Sequence, residues 1–275
     1  MSLISVAAAK GSPGVTTTAL ALAAVWPRPA VLAECDVAGS DLALRLRDEH
    51  GGWLPRDRGL LELASRLSVE GTADVRSFAQ QTEPGVEVLL APPSATHADA
   101  LRPAWPDIAE VLAATSNCDV ICDCGRITPN AGVTPVLLAS DLILLVARPT
   151  PESVAHTRST LRLLAKELAD LETAVPDVAV IVVAAHESQA EQVGEALMDD
   201  GLPDCVLATV AADPGAAAAV YARPTRGLDR SRLLVSVRNL AVLADEQLAE
   251  RATTSTLPEP AAAPRAPEAD MEVVA

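Results

Sequence analysis

Apolar runs of strand length alternate along this chain with longer segments of helical period. The strand-length runs occupy 3–8, 30–33, 86–91, 120–124, 142–147, 178–183 and 205–209. Helical segments fill 14–25, 58–67, 103–115, 151–171, 188–199 and 232–249. Several strand runs are apolar at consecutive positions rather than at every second one. A strand with one wet face alternates and a strand buried on both faces does not, so these runs predict a parallel sheet covered by helices. The β–α alternation makes the expected fold α/β, a doubly wound, mostly parallel sheet of about seven strands with helices on both faces.

The stretch 51–85 is less regular and more polar, and is expected to form surface helices between the second and third strands. The end of the chain turns to Ala, Pro and Glu with little periodicity. This predicts one domain over 1–250 and a disordered tail over 251–275. No internal repeat is visible.

Composition narrows the picture. Apolar residues make up 49% of 275 and aromatics only 2%, so an ample core must be built from Ala, Val and Leu. The net charge of -16 disfavours direct binding to a polyanion such as DNA. The best local basic patch is Arg223, Arg226, Arg230, Arg232 and Arg238, read as a solvated helix surface and its preceding loop. No window approaches the ~20 apolar residues of a membrane span, and the apolar opening 3–9 is too short for a secretory signal. Five cysteines without paired spacing do not form a disulfide framework, and a reducing cytoplasm is the expected compartment. Cys118, Cys122 and Cys124 share one strand face and are read as small buried hydrophobes rather than metal ligands.

The most informative segment is Ser5-Val-Ala-Ala-Ala-Lys10-Gly11-Ser12-Pro13-Gly14-Val15-Thr16-Thr17. An apolar strand ends in a glycine turn and a helix follows, which aims backbone N–H groups and the positive helix end at one point. Against the P-loop pattern G-x-x-x-x-G-K-[ST], Gly14 is the final glycine, Val15 holds the lysine position and Thr16 the Ser/Thr position. Lysine otherwise occurs only at Lys166, so an ammonium at Lys10, a compact point charge unlike arginine's planar fork, is singled out.

Two carboxylate segments accompany the loop. After the second strand run comes Glu34-Cys-Asp36-Val-Ala-Gly39-Ser-Asp41. A later run reads Cys118-Asp119-Val-Ile-Cys-Asp123-Cys-Gly125-Arg126. Asp123, at the end of an apolar strand and before a glycine, is where a Walker B carboxylate would hold the hydration shell of Mg²⁺ beside Thr16.

The loop resembles the deviant Walker A of the MinD/ParA family of P-loop NTPases, K-G-G-x-G-K-T-T. Lys10, Gly11, Gly14, Thr16 and Thr17 match, Ser12 replaces a glycine, Pro13 fills the free position and Val15 departs. The segment around Asp36 resembles the family's D-x-D-x-x-G, with Glu34 for the first Asp. Asp119 and Asp123 fit its Walker B loosely, and Ala211-Ala212-Asp213-Pro214 resembles the loop that passes adenine, followed by an Ala-rich helix. The base-reading Asn is not evident, since Ala184-Ala185-His186 stands at its place.

The resemblance implies ATP and Mg²⁺ as cofactors. It implies Lys10 and Asp36 in catalysis. It implies nucleotide contacts from Lys10, Gly11, Ser12, Pro13, Gly14, Val15, Thr16, Thr17, Asp213 and Pro214, and metal contacts from Thr16, Asp36 and Asp123. Lys10 would act across a homodimer on the partner's phosphates, while the cis site, lacking its lysine, would be weakened to a poor ATPase at best. The implied role is a localisation or positioning factor of a TadZ/CpaE-like kind, with protein cargo such as secretion or pilus machinery and slow or absent hydrolysis. The alternative is a non-enzymatic pseudo-ATPase scaffold for protein contacts.

Overall fold

The computed structural model describes residues 1–11, 14–128, 132–169, 171 and 175–255. Strands are β1 (Leu3–Ala8), β2 (Ala30–Glu34), β3 (Gln80–Gln81), β4 (Glu87–Leu89), β5 (Asp119–Arg126), β6 (Leu142–Ala147), β7 (Asp177–Ala184) and β8 (Val206–Ala211). Helices are α1 (Val15–Val25), α2 (Leu42–Arg45), α3 (Leu60–Glu70), α4 (Ala95–Ala100) and α5 (Trp105–Ala113). There follow α6 (Thr134–Leu138), α7 (Pro151–Ala169), α8 (Glu187–Asp199), α9 (Pro214–Ala219) and α10 (Arg232–Ser255).

The eight strands form one sheet in the order β3-β4-β2-β5-β1-β6-β7-β8. All neighbours are parallel except β3, which pairs antiparallel with β4. β1 lies between β5 and β6; the chain leaves β1 toward β2 on one side, while β5 connects across it to β6 on the other, so a crevice opens at its C-terminal end.

The consecutive apolar runs are explained by two cores, one on each face. Along β1, Leu3 and Ala7 face a layer with Phe78, Trp105, Leu164 and Leu197. Ile4, Val6 and Ala8 face the opposite layer with Leu20, Leu42, Val220, Leu240 and Leu248. Each strand residue therefore meets apolar side chains whichever way it points.

The structure adds an eighth strand, β3, which the apolar pattern does not mark because it is two glutamines. Gln80 is buried, and its amide donates to the carbonyls of Pro55 and Arg58, 3.0 and 2.8 Å away. In 51–85 the helical content is α3 and one 3-10 turn, Val75–Phe78. α10 carries the chain to Ser255, five residues past the expected domain end at 250; residues 256–275 lie outside those described.

Cys118, Cys122 and Cys124 share one core layer with Cys35. Burial pushes the thiols of Cys118 and Cys124 up, and the thiol of Cys35 is raised first by its hydrogen bond with Cys122 and then by burial. They pack as protonated, apolar side chains.

Candidate functional site

α1 begins directly after the loop that leaves β1. Gly14, at φ +105°, makes the left-handed turn that starts it, a conformation favouring glycine because it has no Cβ. Thr18 N–H already bonds back to Gly14 O at 2.8 Å. The amides of Val15, Thr16 and Thr17 precede that first helical bond and project toward the loop mouth with the positive end of the helix dipole, a cradle for anionic oxygens. Ser12 and Pro13 lie outside the described residues. Lys10 is exposed at the end of the loop's first limb and makes no ion pair among the described residues.

Position 15 is apolar. Val15 is 7% exposed and packs in the α1 layer of the core, so this position brings no charge to the loop mouth. Thr16 is half-buried, and its side chain faces Asp123, whose carboxyl it draws down. Thr17 Oγ1 lies 2.9 Å from Tyr221 Oη.

β5 delivers Asp123 to the same corner. Its carboxylate is fully buried. Gly125 N–H donates to Oδ1 at 3.1 Å, while Oδ2 has no hydrogen-bond partner among the described residues. Burial pushes this carboxyl up to about 7, and the nearby Glu34 and Asp36 carboxylates push the same way. A buried carboxylate oxygen left unpaired is costly unless a cation or proton meets it.

Asp36 is the second carboxylate. Its Oδ1 accepts from Ala38 N at 2.8 Å, so it does initiate the turn toward Gly39. Its Oδ2 occupies the place where a Cβ on Gly125 would stand. Burial raises its carboxyl, partly offset by the Ala38 hydrogen bond and the Arg126 charge. Thr16, Asp36 and Asp123 thus lie at one end of the sheet.

Asp119 does not join them. It sits at the other end of β5, where it accepts from Ser2 N, Trp26 Nε1 and the Arg28 guanidinium, 2.7–2.8 Å away. Four residues of strand separate it from Asp123, about 13 Å at 3.3 Å per residue. It ties β5 to β1 and to the chain after α1.

Glu34 is the residue whose role sequence reasoning missed. It is 1% exposed and accepts from Ser40 Oγ, from the amides of Asp41 and Leu42 at 2.9 Å and from Ala91 N at 3.1 Å. The carboxylate clamps the start of α2 onto the end of β2. The available signal was an acidic residue closing an otherwise apolar strand run.

Asp213 and Pro214 follow β8. Asp213 accepts from Ala216 N at 3.1 Å and caps α9, with Pro214 in its first turn. Their visible task is to launch α9, which ends just before the buried Tyr221. His186, where a base-reading Asn was sought, stands at the start of α8, where Gln189 Oε1 accepts from the amides of Ala185 and His186 at 3.0 and 3.2 Å. Of the arginine patch, Arg226, Arg230 and Arg238 line one groove, while Arg232 instead donates to Ala185 O.

The fold has counterparts among solved structures. A ParA family ATPase from Chlorobium tepidum superimposes with a TM-score of 0.68 at 15% identity, covering 88% of this chain and 97% of that one. The chain has the MinD/ParA-type P-loop fold. The septum site-determining protein MinD of Pyrococcus horikoshii, solved with Mg-ADP, gives 0.66 at 18% identity over 90% and 97%. A Cyanothece McdA variant solved with ATP gives 0.62 at 16% over 88% and 96%. No protein-family model matches the chain, and no curated protein matches it. Within this MinD/ParA-type fold no helix among the described residues is long and apolar enough to cross a membrane.

Proposed function

We propose that this protein is a nucleotide-binding, dimerising positioning factor that binds ATP with Mg²⁺ and hydrolyses it slowly or not at all. The observation that carries this reading is Asp123 Oδ2, buried and unpaired beside the Thr16 hydroxyl at the foot of the α1 cradle. Mg²⁺ bound to nucleotide characteristically takes one or two protein oxygens and fills its octahedron with phosphate and water. Two oxygens from Thr16 and Asp123 suit that ion. Among the described residues no group of three or more His, Cys, Asp or Glu is placed to hold a metal ion by itself, so phosphate and water would complete the shell.

The ion would neutralise charge building on the phosphates. The α1 amides would bind the phosphate oxygens, together with Gly11, Ser12, Pro13 and Gly14. Asp36 would orient water for attack, an interaction worth most in the transition state. Lys10, exposed at the loop, would serve a partner's phosphates across a dimer. Asp213 and Pro214 would border the base. The solved MinD with Mg-ADP and McdA with ATP support the ligand class.

Calorimetry of ATP with and without Mg²⁺ tests the reading. Wild type should bind, Asp36→Ala should bind nearly as well, and Asp123→Ala should lose the Mg²⁺ dependence. A wild type silent toward ATP under both conditions refutes it. The scaffold alternative is favoured by one observation, the buried apolar Val15; ATP-independent dimers with no turnover would select it.

A further inference from the structure

A P-loop lysine sends its ammonium to the phosphates, and Val15 sends nothing. A second element brings a cation to the same corner. Arg45 is the last residue of α2, and its guanidinium carbon lies 3.3 Å from the centroid of the Tyr221 ring. Tyr221 is buried, and its Oη is 2.9 Å from Thr17 Oγ1, in the first turn of α1. Side chains from the first turn of α1, the end of α2 and the segment after α9 thus meet: Thr17, Arg45 and Tyr221.

The stack fixes where the charge sits. A guanidinium lying on a ring spends its face, while its N–H donors radiate in plane and stay available for oxygens. Arg45 is exposed and forms no ion pair among the described residues, in a chain with 37 acidic and 21 basic residues. Burial raises the Tyr221 phenol, and the Thr17 hydrogen bond and the Arg45 charge draw it back down. Glu34 holds the start of α2 in place through the Asp41 and Leu42 amides.

We infer that Arg45, stacked on Tyr221, supplies the phosphate-facing cation that position 15 lacks, its ligand being the polyphosphate of a nucleotide seated on the α1 N-terminus. The inference rests on the nucleotide-binding reading above. It also gives Glu34 a purpose: the carboxylate that anchors α2 anchors the arginine.

Calorimetry with ATP·Mg²⁺ on wild type, Arg45→Ala, Arg45→Lys, Val15→Lys and the double variant Val15→Lys/Arg45→Ala tests it. Arg45 is exposed, so its truncation leaves the core packed. Arg45→Ala should weaken binding about ten- to hundredfold, the loss of a charge-assisted phosphate contact. Arg45→Lys should recover little of that, because an ammonium cannot stack as a plane. A lysine at position 15 should strengthen the Arg45→Ala protein more than it strengthens wild type, since the two cations serve one anion. Wild-type affinity in Arg45→Ala overturns the inference and leaves the nucleotide reading standing. Strictly additive effects of the two substitutions overturn it as well, by showing that Arg45 acts through structure. A wild type that does not bind ATP overturns both.

Discussion

A Cβ on residue 125 would stand 2.2 Å from Asp36 Oδ2. The carboxylate that follows β2 is thus seated against bare backbone at the end of β5. Gly125 also sits at φ +57°, where a side chain costs about 1 kcal/mol. Gly125→Ala should displace Asp36, lower stability by about 1–2 kcal/mol, and abolish any turnover while ATP binding persists. Chemical denaturation and a phosphate-release assay measure the two effects.

Lys10 is exposed and without an ion pair among the described residues, so removing it costs the monomer nothing. Lys10→Ala should melt within about 0.5 kcal/mol of wild type, as surface changes do. It should also lose the ATP-induced shift from monomer to dimer. Light scattering with and without ATP·Mg²⁺ decides this, and equal masses for both proteins would end the trans-lysine reading.

Asp123 gives a pH dependence whose sign follows from burial. Its carboxyl is raised from 3.8 to about 7 in the folded state. Between those values the folded chain holds a proton that the unfolded chain has released. This group therefore favours folding at low pH, and its contribution is lost as pH rises through about 7. Asp123→Asn, which cannot ionise, should raise stability at pH 8 by about 1–3 kcal/mol, raise it less at pH 5, and change little below about pH 4, where both states of the wild type hold the proton. Mg²⁺ competes with the same proton, so the Mg²⁺ dependence of ATP binding should grow from pH 6 to pH 8 in wild type and vanish in the variant.

Glu34 accepts from four donors. Glu34→Ala leaves them buried and unpaired, and should cost about 2–3 kcal/mol. It should also loosen α2 and so lower ATP affinity through Arg45. Hydrogen exchange at the Asp41 and Leu42 amides would report the loosening directly, and unchanged protection there would refute the clamp.

Much of the fold was legible because local pattern encodes it. The run 3–8 and the run 142–147 became β1 and β6 with the same bounds, since a strand buried on both faces must be apolar at every position. The segment 232–249 became α10 but ran on to Ser255, because helix ends fray into weak signals. β3 was missed because its two glutamines carry no apolar period; it exists through pairing with β4 and the Gln80 amide contacts. In the site, Thr16 and Asp123 were legible as a loop and a strand end. The tie of Asp119 to Ser2, Trp26 and Arg28 was not legible, since two of those partners lie more than 90 positions away and one lies 117.

The sequence by itself determined the α/β class, the glycine turn that starts α1, and the absence of a lysine at position 15. These follow from residue type and spacing along a continuous stretch of chain. Only the tertiary structure decided that Tyr221 meets Thr17 across 204 positions, that Arg45 lies on Tyr221, and that Glu34 holds α2. The physical reason is convergence at the sheet's C-terminal end. Strand order sets which loops meet there, and the packing of α9 and α10 over α1 sets which side chains touch. No periodicity within any one segment carries that information.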